Sequence, residues 1–97
     1  MKLAEFRSSV AASAPPEDVT GPLAALWHVA KGEWDKAHDL VKDDESKEAA
    51  WVHAHLHRVE GDQSNAEYWY RRAGKPVSDA PLDDEWLQIT AGLMLRP

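Results

Sequence analysis

Apolar residues recur along this chain every three or four positions, which is the spacing of amphipathic helices. Leu3, Phe6 and Val10 mark one such stripe near the start, and Trp86 and Ile89 begin another near the end. No useful length of chain alternates with the two-residue period of a strand. The pattern predicts an all-α protein of about six helices. Five of them are expected at residues 2–12, 22–31, 33–42, 46–60 and 83–95, and another helix is expected to end near residue 73.

A pattern of five positions nearly recurs 29 residues later in the chain, with four of the residues identical. Ala25, His28, Gly32, Ala37 and Val41 are followed at this spacing by Ala54, His57, Gly61, Ala66 and Tyr70. Small residues let two helices approach closely, and glycine lets the chain reverse direction between them. Because a period of about 20 to 50 residues is typical of helical repeats, the spacing predicts two stacked helical hairpins.

The segment Ala54-x₂-His57-x₃-Gly61-Asp62-x₃-Ala66-x₃-Tyr70-x₂-Ala73 resembles the tetratricopeptide and Sel1-like repeat families. The resemblance implies a single domain, residues 1–97, in which the hairpins form a right-handed superhelical stack. Its expected parts are an N-terminal capping helix at 1–13, repeat one at 22–44, repeat two at 46–74 and a C-terminal capping helix at 83–95. The period of 29 is shorter than the roughly 34 residues of a tetratricopeptide unit. Residues 51–62 also resemble small bacterial proteins of unknown function, which implies no activity.

Composition narrows the classes of function. The net charge of −6 argues against a general nucleic-acid binder, because such a protein needs a basic surface. No apolar stretch approaches the roughly 20 residues that span a bilayer, so we expect no membrane partner. The absence of cysteine excludes disulfides and thiolate metal sites and agrees with a cytoplasmic location, which is our expectation.

The histidines are the main candidates for chemistry. His53 and His57 are four residues apart and share one helical face, a spacing that can hold a metal ion. The repeat makes His28 the counterpart of His57 and the natural third ligand, with Asp35, His38 and Glu60 as further options. Alternatively, His28 and His57 are partly buried spacers that hydrogen-bond a carbonyl or carboxylate, or they serve acid–base catalysis. His55 lies on another face and is expected to meet solvent or a partner.

The first helix of each predicted hairpin would line a concave surface. This surface would present an aromatic residue, an arginine and apolar residues, which together form a plausible partner-binding set: Leu26, Val29, Trp51, His55 and Arg58. Trp51 is equally compatible with packing under the N-terminal helix. For Arg58, an ion pair with Glu60, Asp62 or another nearby carboxylate is the other interpretation.

No nucleophile motif, phosphate-binding glycine loop or dinucleotide fingerprint is present, so we expect no catalytic residue. The sequence therefore favours a non-catalytic module that binds a protein or peptide and needs no cofactor. The alternative is a small metal- or ligand-binding helical protein that uses a divalent ion at His28, His53 and His57. A homodimer is a third possibility, because Leu93, Met94 and Leu95 end an apolar helix that also contains Gly92.

Overall fold

A computed structural model describes residues 1–95, which contain six α-helices and no strand. The helices are α1 (Leu3–Ser9), α2 (Gly21–Ala30), α3 (Trp34–Val41), α4 (Lys47–Val59), α5 (Gln63–Ala73) and α6 (Leu82–Met94). The prediction of an all-α protein with about six helices is confirmed. Within the described residues, no helix combines the length and apolar character needed to cross a membrane.

Local side chains set several of the helix ends. Ser46 begins α4, where its hydroxyl accepts a hydrogen bond from the amide of Ala49 at 3.1 Å. Asp62 does the same for α5 through the amide of Asn65, at 3.3 Å. These bonds satisfy amides that have no partner inside the helix. Gly74 ends α5 in the left-handed conformation with φ of 70°, which only glycine adopts at little cost.

Consecutive helices form two hairpins, α2 with α3 and α4 with α5, and their turns have the same hydrogen bonds. In the first turn, the amide of Glu33 donates to the carbonyl of His28 at 2.9 Å. In the second, the amide of Asp62 donates to the carbonyl of His57 at 2.8 Å. Both pairs are related by the 29-residue spacing of the sequence. The sequence period therefore corresponds to a repeated local structure.

The glycines and alanines of the period lie where close packing or a reversal requires them. Gly32 and Gly61 have φ angles of 77° and 85°, a region that disfavours any residue with a Cβ atom. The four alanines of the period are completely buried: Ala25, Ala37, Ala54 and Ala66. Their short side chains allow the two helices of each hairpin to approach closely.

The last helix, α6, packs across α2 and α4, which are the first helices of the two hairpins. Trp86 of α6 donates its indole proton to the carbonyl of Leu26 at 2.8 Å. Its ring also stacks on Phe6 of α1, with centroids 5.9 Å apart. The core thus runs between the two hairpins and α6, and α1 lies against α6.

Gly92 in the middle of α6 is explained by the close approach of α4. A Cβ atom at this position would lie 2.9 Å from Cη2 of Trp51, which is nearer than carbon atoms can pack. Trp51 therefore packs on the C-terminal helix. The Nζ atom of Lys75 lies 4.2 Å from the centre of the indole ring of Trp51.

Candidate metal centre

Three histidines from two helices converge between the hairpins. His53 and His57 lie on α4, and His38 lies on α3. One ring nitrogen of each lies within 4.8 Å of a ring nitrogen of both others. We call His38, His53 and His57 the histidine cluster. His53 and His57 are buried, with 4% and 6% of their surface exposed, whereas His38 is half-buried and gives the cluster a path to solvent.

The packing of α3 on α4 brings the cluster together. The indole of Trp34, the first residue of α3, donates to the carbonyl of Leu56 on α4 at 2.8 Å. Trp34 lies one helical turn before His38, and the two rings stack with centroids 4.8 Å apart and planes 12° from parallel. This bond and this stack place the His38 ring beside α4. Its centroid lies 4.8 Å from that of His53.

A carboxylate is close to one ring nitrogen of His57 and orients the ring. Nδ1 of His57 lies 2.5 Å from Oε1 of Glu60, the residue that follows the end of α4. An ionised carboxylate accepts and does not donate hydrogen bonds, so the proton lies on Nδ1 and the lone pair on Nε2. A carboxylate behind a histidine is the usual way in which proteins orient a metal-binding imidazole and raise its basicity.

The third member of the cluster has an unsatisfied ring nitrogen. Nδ1 of His53 is the one fully buried side-chain nitrogen or oxygen without a hydrogen-bond partner in residues 1–95. Burial, with smaller contributions from the nearby His57 and His38, lowers the pKa of His53 to about 4. The ring is therefore neutral at physiological pH, which is the form that binds a metal. A buried polar atom without a partner is costly and calls for a functional explanation.

A second group of ligating atoms overlaps the first. His57, Glu60 and Asp62 also place one ligating atom each within 4.8 Å of one another. The short bond between His57 and Glu60 accounts for part of this proximity. The hydrogen bond by which the Asp62 side chain caps α5 also contributes to this proximity, because it fixes the Asp62 carboxylate at the turn. We therefore regard these carboxylates as support for the histidine cluster and not as a second centre.

The expected metal set of His28, His53 and His57 is only partly assembled. The structure brings His53 and His57 together with His38, which the sequence offered as a further option. His28 instead lies at the end of α2, where its Nδ1 is 2.8 Å from Oε1 of Glu33. The repeat relates His28 and His57 as equivalent positions of successive hairpins, and equivalent positions do not face each other. The bond to a carboxylate that was predicted for spacer histidines is present at both positions.

The five residues of the expected partner surface do not form one exposed face. Leu26 and His55 are 0% and 1% exposed, and Val29, Trp51 and Arg58 are only half-buried. The expectation that His55 faces solvent is wrong, because the side chain is buried. The cause is α6, which packs on the surface that α2 and α4 would otherwise present.

Sequence analysis missed a second buried polar cluster, which centres on Glu85 of α6. Its carboxylate lies 2.7 Å from Nδ1 of His55 and 2.7 Å from a guanidinium nitrogen of Arg58, and it accepts the hydroxyl proton of Tyr70. Burial acts to raise the pKa of Glu85, but these three hydrogen bonds outweigh it and keep the pKa below its usual value. Glu85 lies one turn before buried Ile89, and that spacing was the signal available in the sequence.

The chain matches none of the protein-family models, curated proteins or solved structures with which it was compared. The arrangement of its own side chains therefore carries the functional argument.

Proposed function

We propose that this protein binds a borderline divalent metal ion, with zinc as the first candidate, through His38, His53 and His57. The observation that carries this proposal is the buried Nδ1 of His53, which lacks a partner in a cluster where two further imidazoles are within reach. Imidazole nitrogen suits zinc, copper and nickel, whereas magnesium and calcium prefer oxygen ligands. Coordination would give this histidine a partner for its lone pair.

The cluster requires only a small adjustment to accept the ion. Zinc–nitrogen bonds of about 2.1 Å in a tetrahedral site place the nitrogens about 3.4 Å apart. The nitrogens of the cluster lie within 4.8 Å of one another, so rotation of the imidazole rings is needed to bring them to that spacing. Three protein ligands leave a fourth position for water or for a ligand atom of another molecule.

We also propose that the two hairpins are repeats of the tetratricopeptide or Sel1-like type. The equivalent turn hydrogen bonds, the buried alanines and the positive φ of Gly32 and Gly61 support this. A right-handed superhelical stack would be the corresponding arrangement. The peptide-binding role that such repeats suggest has less support here, because α6 already covers the face formed by α2 and α4.

The test is a calorimetric titration of untagged, metal-free protein with zinc. We expect one zinc per chain, and we expect His38→Ala to weaken zinc binding by at least tenfold, because one of three ligands is lost. His38 is half-buried, so its removal should leave the fold intact. His28→Ala is the matched control, since His28 is also half-buried but lies outside the cluster, where it bonds to Glu33.

Equal binding by His38→Ala and the parent protein would contradict the assignment, as would the absence of stoichiometric binding. If His28→Ala weakened zinc binding equally, the result would favour His28, His53 and His57 as the ligand set. A native mass spectrum of the same samples would count the metal ions directly. It would also show whether the chain is a monomer or a homodimer.

A further inference from the structure

A cleft of about 510 Å³ lies on the opposite side of α4 from the histidine cluster, between α4, α6, α1 and the end of α2. Its walls are mostly apolar and include Val29, Val59 and Trp86, and its polar lining residues are His55, Arg7 and Asp83. The volume lies within the range of about 300 to 1,000 Å³ that small-molecule sites occupy. Apolar walls with one or two fixed polar groups are typical of such sites.

His55 is the buried polar group of this cleft, and the Glu85 cluster fixes its orientation. Nδ1 of His55 lies 2.7 Å from the carboxylate of Glu85, which places the ring proton on Nδ1. Arg58 already supplies a positive charge to that carboxylate, at 2.7 Å. In the neutral ring, a proton on Nδ1 leaves Nε2 as a hydrogen-bond acceptor.

Within residues 1–95, the hydrogen bond of the His55 ring is the one at Nδ1, and the ring lines the cleft. We take Nε2, on the opposite edge of the ring, as the atom that a ligand would reach. A ligand in the cleft could reach this acceptor only by donating a hydrogen bond. The charges at the rim, Arg7 and Asp83, have opposite signs and so favour neither an anion nor a cation.

We propose that this cleft binds a small, uncharged and largely apolar molecule whose hydroxyl group donates a hydrogen bond to Nε2 of His55. The apolar walls would contribute most of the affinity, through burial of the ligand's hydrocarbon surface. The single fixed acceptor would select molecules that carry a donor over those that do not. This proposal is independent of the metal centre, because the two share no residue.

The test compares two probes that differ in one donor, 4-propylphenol and 4-propylanisole. Amide chemical shifts in labelled protein would be followed by NMR with a chelator present throughout, so that metal binding cannot contribute. We expect shifts confined to amides around the cleft, and binding of the phenol about five- to tenfold tighter than binding of the methyl ether. That difference corresponds to one hydrogen bond.

Two variants distinguish the contribution of the hydrogen bond to the affinity from the contribution of the apolar cleft. In His55→Asn the side-chain amide can still donate to Glu85, but the acceptor at Nε2 is lost, so both probes should bind alike. In Val59→Trp a larger side chain would fill the cleft, and both probes should lose affinity. Val59 is 41% exposed, so this change should not unfold the protein.

Equal affinities of the two probes for the parent protein would overturn the proposal, as would absence of binding up to the solubility limit of the phenol. Shifts that depend on protein concentration without any probe would overturn it too. They would show that a second copy of the chain covers the cleft.

Discussion

Trp69 of α5 stacks on His53 of α4, with ring centroids 3.9 Å apart and planes only 14° from parallel. The stack fixes the orientation of the His53 ring and covers one of its faces. His57, one turn further along α4, lies on the ring as well, with centroids 4.8 Å apart. These contacts hold the ring, with its unpartnered Nδ1, in a fixed position beside the other two histidines.

Glu60→Gln should weaken zinc binding by about 10- to 100-fold without abolishing it. The carboxylate orients His57 and raises the basicity of its ring, and a neutral amide does this less well. Competition with a chelating dye would measure the change. Glu33→Gln is the matched control, since Glu33 is the carboxylate partner of His28. The zinc affinity of this variant should equal that of the parent protein. Equal losses in both variants would indicate a general effect of surface charge.

Acid should destabilise the metal-free protein through His53. The folded ring has a pKa of about 4, against 6.5 for an unperturbed histidine, so the unfolded chain binds more protons between these values. The free energy of unfolding should therefore fall as the pH drops from 6.5 towards 4, by up to about 3 kcal/mol from this group. Urea unfolding at several pH values would measure the slope.

His53→Gln should flatten that slope, because glutamine does not titrate. His28→Gln, which removes a histidine outside the cluster, serves as the comparison. His38 and His57 face the same ring, and their charges at low pH contribute to the repulsion that lowers its pKa. If the slope of His53→Gln equalled that of the parent protein, the acid sensitivity would have to arise at another group.

The hairpins could be predicted from the sequence because their determinants are local. Gly32 and Gly61 allow the reversals, and the alanines of the period mark the helix crossings. The position of α6 could not be predicted, because it depends on contacts with residues about 60 positions earlier, such as the bond from Trp86 to Leu26. An apolar stripe shows that a helix is buried but not which helices cover it.

The candidate site was predictable only in part for the same reason. The spacing of His53 and His57 within one helix identified two of the three ligands. The third depends on how α3 packs on α4, and Trp34 decides this through its bond to the carbonyl of Leu56. Sequence equivalence suggested His28, but the structure shows that a ligand on the neighbouring helix is nearer.

Arg58→Met should destabilise the fold by about 3 to 5 kcal/mol. The methionine would replace much of the apolar stem but would leave the buried carboxylate of Glu85 without its cation. It would also remove the bond from the guanidinium to the carbonyl of Ala80, at 2.7 Å. Chemical unfolding at neutral pH would measure the loss. Arg71→Met changes an exposed arginine of the adjacent helix and should alter the stability by less than about 0.5 kcal/mol.

Gly92→Ala should test the contact between α6 and α4. Alanine is favoured over glycine inside a helix by about 1 kcal/mol, so an open site would be stabilised. Here the added Cβ atom would meet Cη2 of Trp51 at 2.9 Å and Cζ3 at 3.0 Å, and the indole lies between Gly92 and the Lys75 amine. We therefore expect a net destabilisation of about 1 kcal/mol, as for other overpacked sites.

The same substitution in a Trp51→Phe background should have the opposite sign. Phenylalanine lacks the outer atoms of the indole ring that the new Cβ atom would meet, so only the gain in helix propensity remains. The coupling free energy from the double-mutant cycle should lie between about 1 and 3 kcal/mol. Urea unfolding of the four proteins would measure it. A coupling near zero would mean that Trp51 moves away from the added methyl group at no cost, and that Gly92 does not depend on this contact.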